Sequence, residues 1–201
     1  MARSSSNALR RLLAEIAGCQ ICAAELPLGP RPVLRAEASA RVLIIGQAPG
    51  TRVHESGVPW DDKSGERLRQ WLGVDDATFY DAKRIAIMPM GFCFPGRDAN
   101  GADAPPRPEC APEWHDRVLA QLPHLELTLL VGHHAQARYL GRAREKTMTE
   151  TVMNWRRYAP EFLPTPHPSW RTNAWQRKHV WFETDLLPEL RERVAAVLAT
   201  R

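Results

Sequence analysis

Three short runs of bulky apolar residues constrain this chain most: Arg41–Ile45 (RVLII), Ile85–Met90 (IAIMPM) and Leu127–Val131 (LTLLV). They are apolar at successive rather than alternate positions. Both faces of each run therefore need cover, as in a buried parallel strand. Gly46 and Gly132 follow the first and third runs directly.

Helix-length stretches separate the runs. Leu9, Leu12, Leu13 and Ile16 mark one face over Asn7–Ala23, and Leu68, Trp71 and Leu72 mark another over Ser64–Leu72. Pro112 suits the first turn of a helix reaching Leu122. Further helices are predicted over Ala135–Leu140, over Thr149–Tyr158 behind a capping-box pair (Thr147, Glu150), and over Trp181–Leu198 with a kink or restart at Pro188. Phe162 and Leu163 form a short fourth strand. Strands alternating with helices predict a three-layer α/β/α sandwich around a four-stranded, mostly parallel sheet. The 201 residues fit one domain, 1–201, with 1–6 expected to be disordered.

Composition narrows the function classes. Hydrophobic residues make up 44% of the chain and charged residues 25%, which supports a packed core. No apolar run reaches the ~18 residues of a membrane span. The polar start lacks an apolar export core, so a cytoplasmic protein is expected, and a monomer. The net charge of +4 permits a polyanionic partner.

In such a sheet, ligands bind beyond the carboxyl ends of the strands. Gly46-Gln47-Ala48-Pro49-Gly50 follows the first strand, and the loop continues through His54, Gly57, Pro59, Trp60, Ser64 and Gly65. Pro166-His167-Pro168-Ser169-Trp170-Arg171 follows the fourth. There the flanking rings restrict the backbone and aim the imidazole, which suits a donor to a developing oxyanion. Basic residues interleaved with Trp170, Trp175 and Trp181 suit phosphates and unstacked bases. Phe92–Pro108 is a long Gly/Pro/Asp-rich loop, of the kind that is functional or tied down. Cys19, Cys22, Cys93 and Cys110 are too few for a disulfide scaffold, and four thiolates bind either an iron–sulfur cluster or a tetrahedral zinc.

With both loops in view, the chain resembles the uracil-DNA glycosylase superfamily, nearest its iron–sulfur families 4 and 5. Gly46-Gln47-Ala48-Pro49-Gly50, Gly57-Val58-Pro59-Trp60 and Lys63-Ser64-Gly65 match the first motif of that superfamily, and His167-Pro168-Ser169 the second. The resemblance implies a DNA-repair hydrolase of base excision repair, which cuts the N-glycosidic bond of uracil or another deaminated base. It implies a [4Fe–4S] cluster on Cys19, Cys22, Cys93 and Cys110. A non-catalytic binder of damaged or single-stranded DNA is the alternative.

By that resemblance, His167 donates to the uracil O2, Trp60 stacks on the flipped base, and Gln47 and Ala48 face the base edge. Ser64 and Arg171 meet phosphates, while Ser169, Trp170 and Arg171 fill the vacated stack. Three residues depart from family 4. Gln47 stands in place of a glutamate, His54 in place of an acidic residue, and Met88 in place of the asparagine that reads the uracil edge. His54 is accordingly the candidate for positioning water, with Glu55 and Asp61 as substitutes, and Met88 a candidate at the base.

Overall fold

The computed structural model describes residues 2–99 and 101–199, with the backbone alone for 2–6. The disorder expected for 1–6 therefore falls outside the residues described in full. The strands are β1 (Val42–Ile45), β2 (Ile85–Ile87), β3 (Leu127–Val131) and β4 (Phe162–Thr165). They form one sheet in the order β2-β1-β3-β4, parallel at every pairing among the described residues. In register, Ile44 of β1 lies beside Ile87 on one flank and Leu129 on the other.

The helices are α1 (Ala2–Ala17), α2 (Thr51–Ser56), α3 (Lys63–Leu72), α4 (Asp76–Phe79), α5 (Cys110–Leu119), α6 (His133–Leu140), α7 (Met148–Met153), α8 (Thr172–Lys178) and α9 (Leu187–Ala199). Strand alternation sorts them into two layers. Leu43, Ile45, Ala86 and Leu130 point to one face, where Leu9, Leu12 and Ile16 of α1 and Trp114 and Val118 of α5 cover them. Val42, Ile44, Leu127 and Leu129 point to the other, against Leu68 and Trp71 of α3 and Leu190 and Val194 of α9. Each fully buried Leu or Ile adds about 1.5–3 kcal/mol. This is the expected three-layer sandwich.

Local chemistry sets the element ends. The Thr147/Glu150 capping box is present in both directions at the start of α7. That helix stops at Met153 and passes into a tight turn over Trp155–Arg157, short of the expected Tyr158. Before Pro188 the chain makes a wide π-type turn over Phe182–Leu186, so α9 begins at Leu187. The short helices α2, α4 and α8 lie where the sequence analysis expected none.

The strand order reverses between β1 and β3, since the chain leaves β1 toward β2 and returns past it to β3. Ligands bind at such a switch point, outside the carboxyl ends of the strands. The loops after β1, β2 and β4 all meet there.

Candidate functional site

A cavity of about 480 Å³ opens at that end of the sheet. Gln47 and Ala48 from the loop after β1, Trp60, and Ser64 of α3 line it, as do His167, Ser169, Trp170 and Arg171 from the loop after β4. Eight residues picked from two distant sequence segments thus meet in one place.

Trp60 forms much of one wall, and glycines make its position possible. A Cβ on Gly46 would lie 2.7 Å from the indole, and one on Gly65 only 1.8 Å from the Trp60 carbonyl oxygen. Both positions need a residue without a side chain. Trp60 itself has a φ of 58°, a left-handed conformation that bulky residues rarely adopt. Its carbonyl accepts from the Tyr80 hydroxyl at 3.4 Å and from Arg69 at 3.5 Å, which helps hold the backbone there. Such strain collects at functional sites.

His167 stands beside Trp60, ring centroids 5.5 Å apart and inclined by 32°. Its backbone carbonyl accepts from Thr172 Oγ1 at 2.5 Å, and Arg67 of α3 donates to the Ser169 carbonyl at 2.8 Å. Two helices therefore hold the loop that carries the imidazole. Burial lowers the His167 pKa, and Asp62 opposes that shift. The ring stays neutral near neutral pH, as a donor to a developing anion should. Trp170 is 74% exposed, with the Arg171 guanidinium 5.6 Å from its ring centre. Trp175 and Trp181 are not free for bases. They pack edge-on against Phe182 (5.4 and 6.4 Å) and each other (5.6 Å), and the Trp175 indole donates to Thr149.

Two expected site residues lie elsewhere. Met88 is fully buried among Leu43, Ile45 and Trp114, on the α1/α5 face. The neighbours that reach the cavity are Ile87 and Pro89. The reason is strand alternation: Trp60 packs toward the α3/α9 face, and the odd-numbered side of β2 is the one that looks that way. His54 sits on α2, where Val53 turns to the cavity and His54 turns to Phe94, 6.1 Å between ring centroids. Its Nδ1 is buried with no hydrogen-bond partner among the described residues. The candidate substitutes fare no better. Glu55 is exposed, and Asp61 stands 3.8 Å from Arg52. Gln47 lines the cavity, but its amide donates to the Ala104 carbonyl at 3.2 Å, leaving its oxygen uncommitted among the described residues.

Sequence reasoning missed Asp62 and Asp103, which both line the cavity. Asp62 had a readable cue, an aspartate three residues before Gly65 at a helix start, and it caps α3 by accepting from the Gly65 amide at 2.8 Å. Asp103 had none, because the long loop offers no periodicity.

Cys19, Cys22, Cys93 and Cys110 line a second, smaller cavity, and none is in a disulfide. Burial pushes the Cys93 thiol up to about 11 and the Cys110 thiol up to about 12. Thiolates in so dry a place need a cationic partner. Two backbone N–H groups already serve them: Phe92 donates to Cys110 Sγ at 3.3 Å, and the Arg31 backbone bonds Cys93. Among the described residues, no three His, Cys, Asp or Glu side chains converge closely enough to share a single ion.

The family model of the uracil DNA glycosylase superfamily matches residues 35–191, most of the chain. The chain belongs to the uracil DNA glycosylase superfamily. The two segments that carry the resemblance line the first cavity, and the match extends over Cys93 and Cys110 but begins after Cys19 and Cys22. No helix among the described residues is long and apolar enough to cross a membrane.

Proposed function

We propose that this protein is a monofunctional DNA glycosylase that releases uracil, or a related deaminated base, from DNA and leaves an abasic site. One observation carries the reading: His167, kept neutral by burial, is fixed beside Trp60 in a cavity at the switch point of the sheet. A module that only bound DNA would have no use for an aimed donor of this kind.

Breaking the glycosidic bond leaves an electron-poor sugar and a base carrying negative charge. The base must first leave the stack. Trp60 offers a face for it, and the Ala48 backbone and the uncommitted Gln47 oxygen meet its polar edge. The His167 N–H donates to the base oxygen on which charge accumulates, so the bond strengthens as the reaction proceeds. Trp170 is exposed enough to enter the gap in the duplex, with Arg171 and Ser64 beside the phosphates.

Cys19, Cys22, Cys93 and Cys110, gathered around one small cavity, are the residues that would hold a [4Fe–4S] cluster, with zinc the alternative for four thiolates. When bound, the cluster supplies a covalent staple between the end of α1, the long loop and the start of α5. Brown protein with four iron atoms per chain is the expected result, and stoichiometric zinc in colourless protein would reverse the choice.

The direct test of function is incubation with a uracil-containing oligonucleotide followed by alkali. Strand scission at the uracil is expected. A gel shift without scission would leave a damage-binding module on the same fold.

A further inference from the structure

Hydrolysis needs a group to take the proton of the attacking water, and a negative charge facing the sugar lowers the barrier further. His167 is assigned to the leaving base, and His54, Glu55 and Asp61 do not line the cavity. That leaves the two cavity carboxylates, Asp62 and Asp103. Asp62 spends Oδ1 on the cap of α3, where the Gly65 amide donates to it. Asp103 is uncommitted. No hydrogen bond holds its carboxylate among the described residues, and only the charges of Arg97, Arg171 and Asp62 act on it.

Its position is nevertheless defined, by backbone rather than by its own side chain. Arg97 and Asp103 pair across a short antiparallel bridge, and the Ala104 amide donates to the Gly96 carbonyl at 2.9 Å. The Asp98 amide donates to the Ala102 carbonyl at 2.7 Å, so the loop closes on itself. Gln47 then clasps it through the Ala104 carbonyl. Asp103 Oδ2 lies 3.4 Å from where a Cβ on Gly50 would stand, against the end of the loop after β1. The loop thus sets a carboxylate with no hydrogen bond among the described residues at the lining of the cavity that holds His167.

We infer that Asp103 is the carboxylate that activates the attacking water. The inference rests on the glycosylase reading. The bond between C1′ and the base nitrogen breaks, and its electron pair leaves with the base, whose oxygen His167 holds. The water oxygen bonds to C1′, and its proton passes to the Asp103 carboxylate. That proton then returns to solvent, and the base anion takes one up. Partial burial raises the Asp103 pKa, which makes it a better base than a free carboxylate, while the charges of Arg97 and Arg171 act against that rise and Asp62 adds to it.

A negative charge in a groove that accepts DNA weakens binding, so removing it acts in opposite directions on affinity and rate. Asp103→Asn keeps the shape and removes the charge. Wild type and variant are compared in single-turnover excision from a uracil-containing oligonucleotide across pH, in affinity for the same DNA carrying a non-cleavable uridine analogue, and in thermal melting. The expected result is a loss of about 100-fold or more in rate and disappearance of the acid limb of the pH–rate profile. Affinity should be equal or tighter, and the melting temperature unchanged. A variant that cuts at the wild-type rate with the wild-type pH profile overturns the inference alone. So does a rate loss matched by lost affinity or lost folding. A wild-type protein that releases no base overturns the glycosylase reading and this inference with it.

Discussion

His115 is fully buried and His167 partly so, and burial lowers the pKa of both. Their surroundings otherwise differ. His115, on α5, has both ring nitrogens occupied: Nδ1 meets the Tyr139 hydroxyl at 2.7 Å and Nε2 the Pro89 carbonyl at 3.1 Å. A carbonyl only accepts, so Nε2 carries the proton and Nδ1 accepts from the tyrosine. The ring stacks on Phe92 at 5.5 Å. It is a strut, holding the 89–92 segment that separates the two cavities. His167 has its backbone fixed instead, and its ring faces open space beside Trp60. Burial and a shifted pKa do not tell a working histidine from a structural one. Whether its hydrogen-bonding capacity is already used does.

The comparison breaks most sharply on rate. His167→Ala should slow single-turnover uracil excision by about a hundred- to a thousandfold, with little change in DNA affinity, because the lost bond belongs to the departing anion. The melting temperature should barely move. Should His167→Ala cut as fast as wild type, the mechanism drawn from this cavity fails.

His115→Ala should do the reverse. It leaves the Tyr139 hydroxyl and the Pro89 carbonyl without partners in a closed core and opens a void, at a combined cost of about 2–4 kcal/mol. Chemical denaturation reads that loss directly. Excision per folded molecule should stay within a few-fold of wild type, since no atom of His115 lines the cavity.

The same histidine sets a pH dependence. Its pKa is about 4 in the folded chain against an ordinary 6.5, chiefly through desolvation. As pH falls, the unfolded chain takes up the proton first. The stabilisation is therefore complete above about pH 6.5 and is lost progressively down to about pH 4. His167 contributes with the same sign. Stability measured across this window should slope less steeply in His115→Leu than in wild type. An unchanged slope would show that other groups carry the acid sensitivity.

What could be read from the sequence follows the same division between backbone pattern and side-chain surroundings. Periodicity and glycine placement made the sheet legible: β3 lies over Leu127–Val131 as expected, and the motif glycines sit where Trp60 crowds them. His167 was legible because two prolines and a strand end fix its direction locally. Met88 was misplaced because a motif position does not say which face of a strand a residue takes, and alternation through β2 sends it into the α1/α5 core. Asp103 was invisible because a bridge to Arg97 and a clasp from Gln47, 56 positions earlier in the chain, put it in place. Long loops draw their structure from such non-local contacts, which leave no period in the sequence.

His54 supplies the third case and the smallest expected effect. It is nearly as buried as His115, at 9% exposure, yet its Nδ1 has no partner among the described residues and its ring rests on Phe94. It has neither the satisfied bonds of a strut nor the open face of His167. An unsatisfied buried polar atom costs stability. A residue of similar volume without that atom should therefore be tolerated or mildly favoured, within about 1 kcal/mol. His54→Leu should melt at or slightly above the wild-type temperature and excise uracil at the wild-type rate, because α2 turns Val53, not His54, to the cavity. A loss of excision in a variant that still melts normally would mean that α2 rotates when DNA binds and brings the imidazole to the reacting sugar. His54 would then belong with His167 rather than with His115.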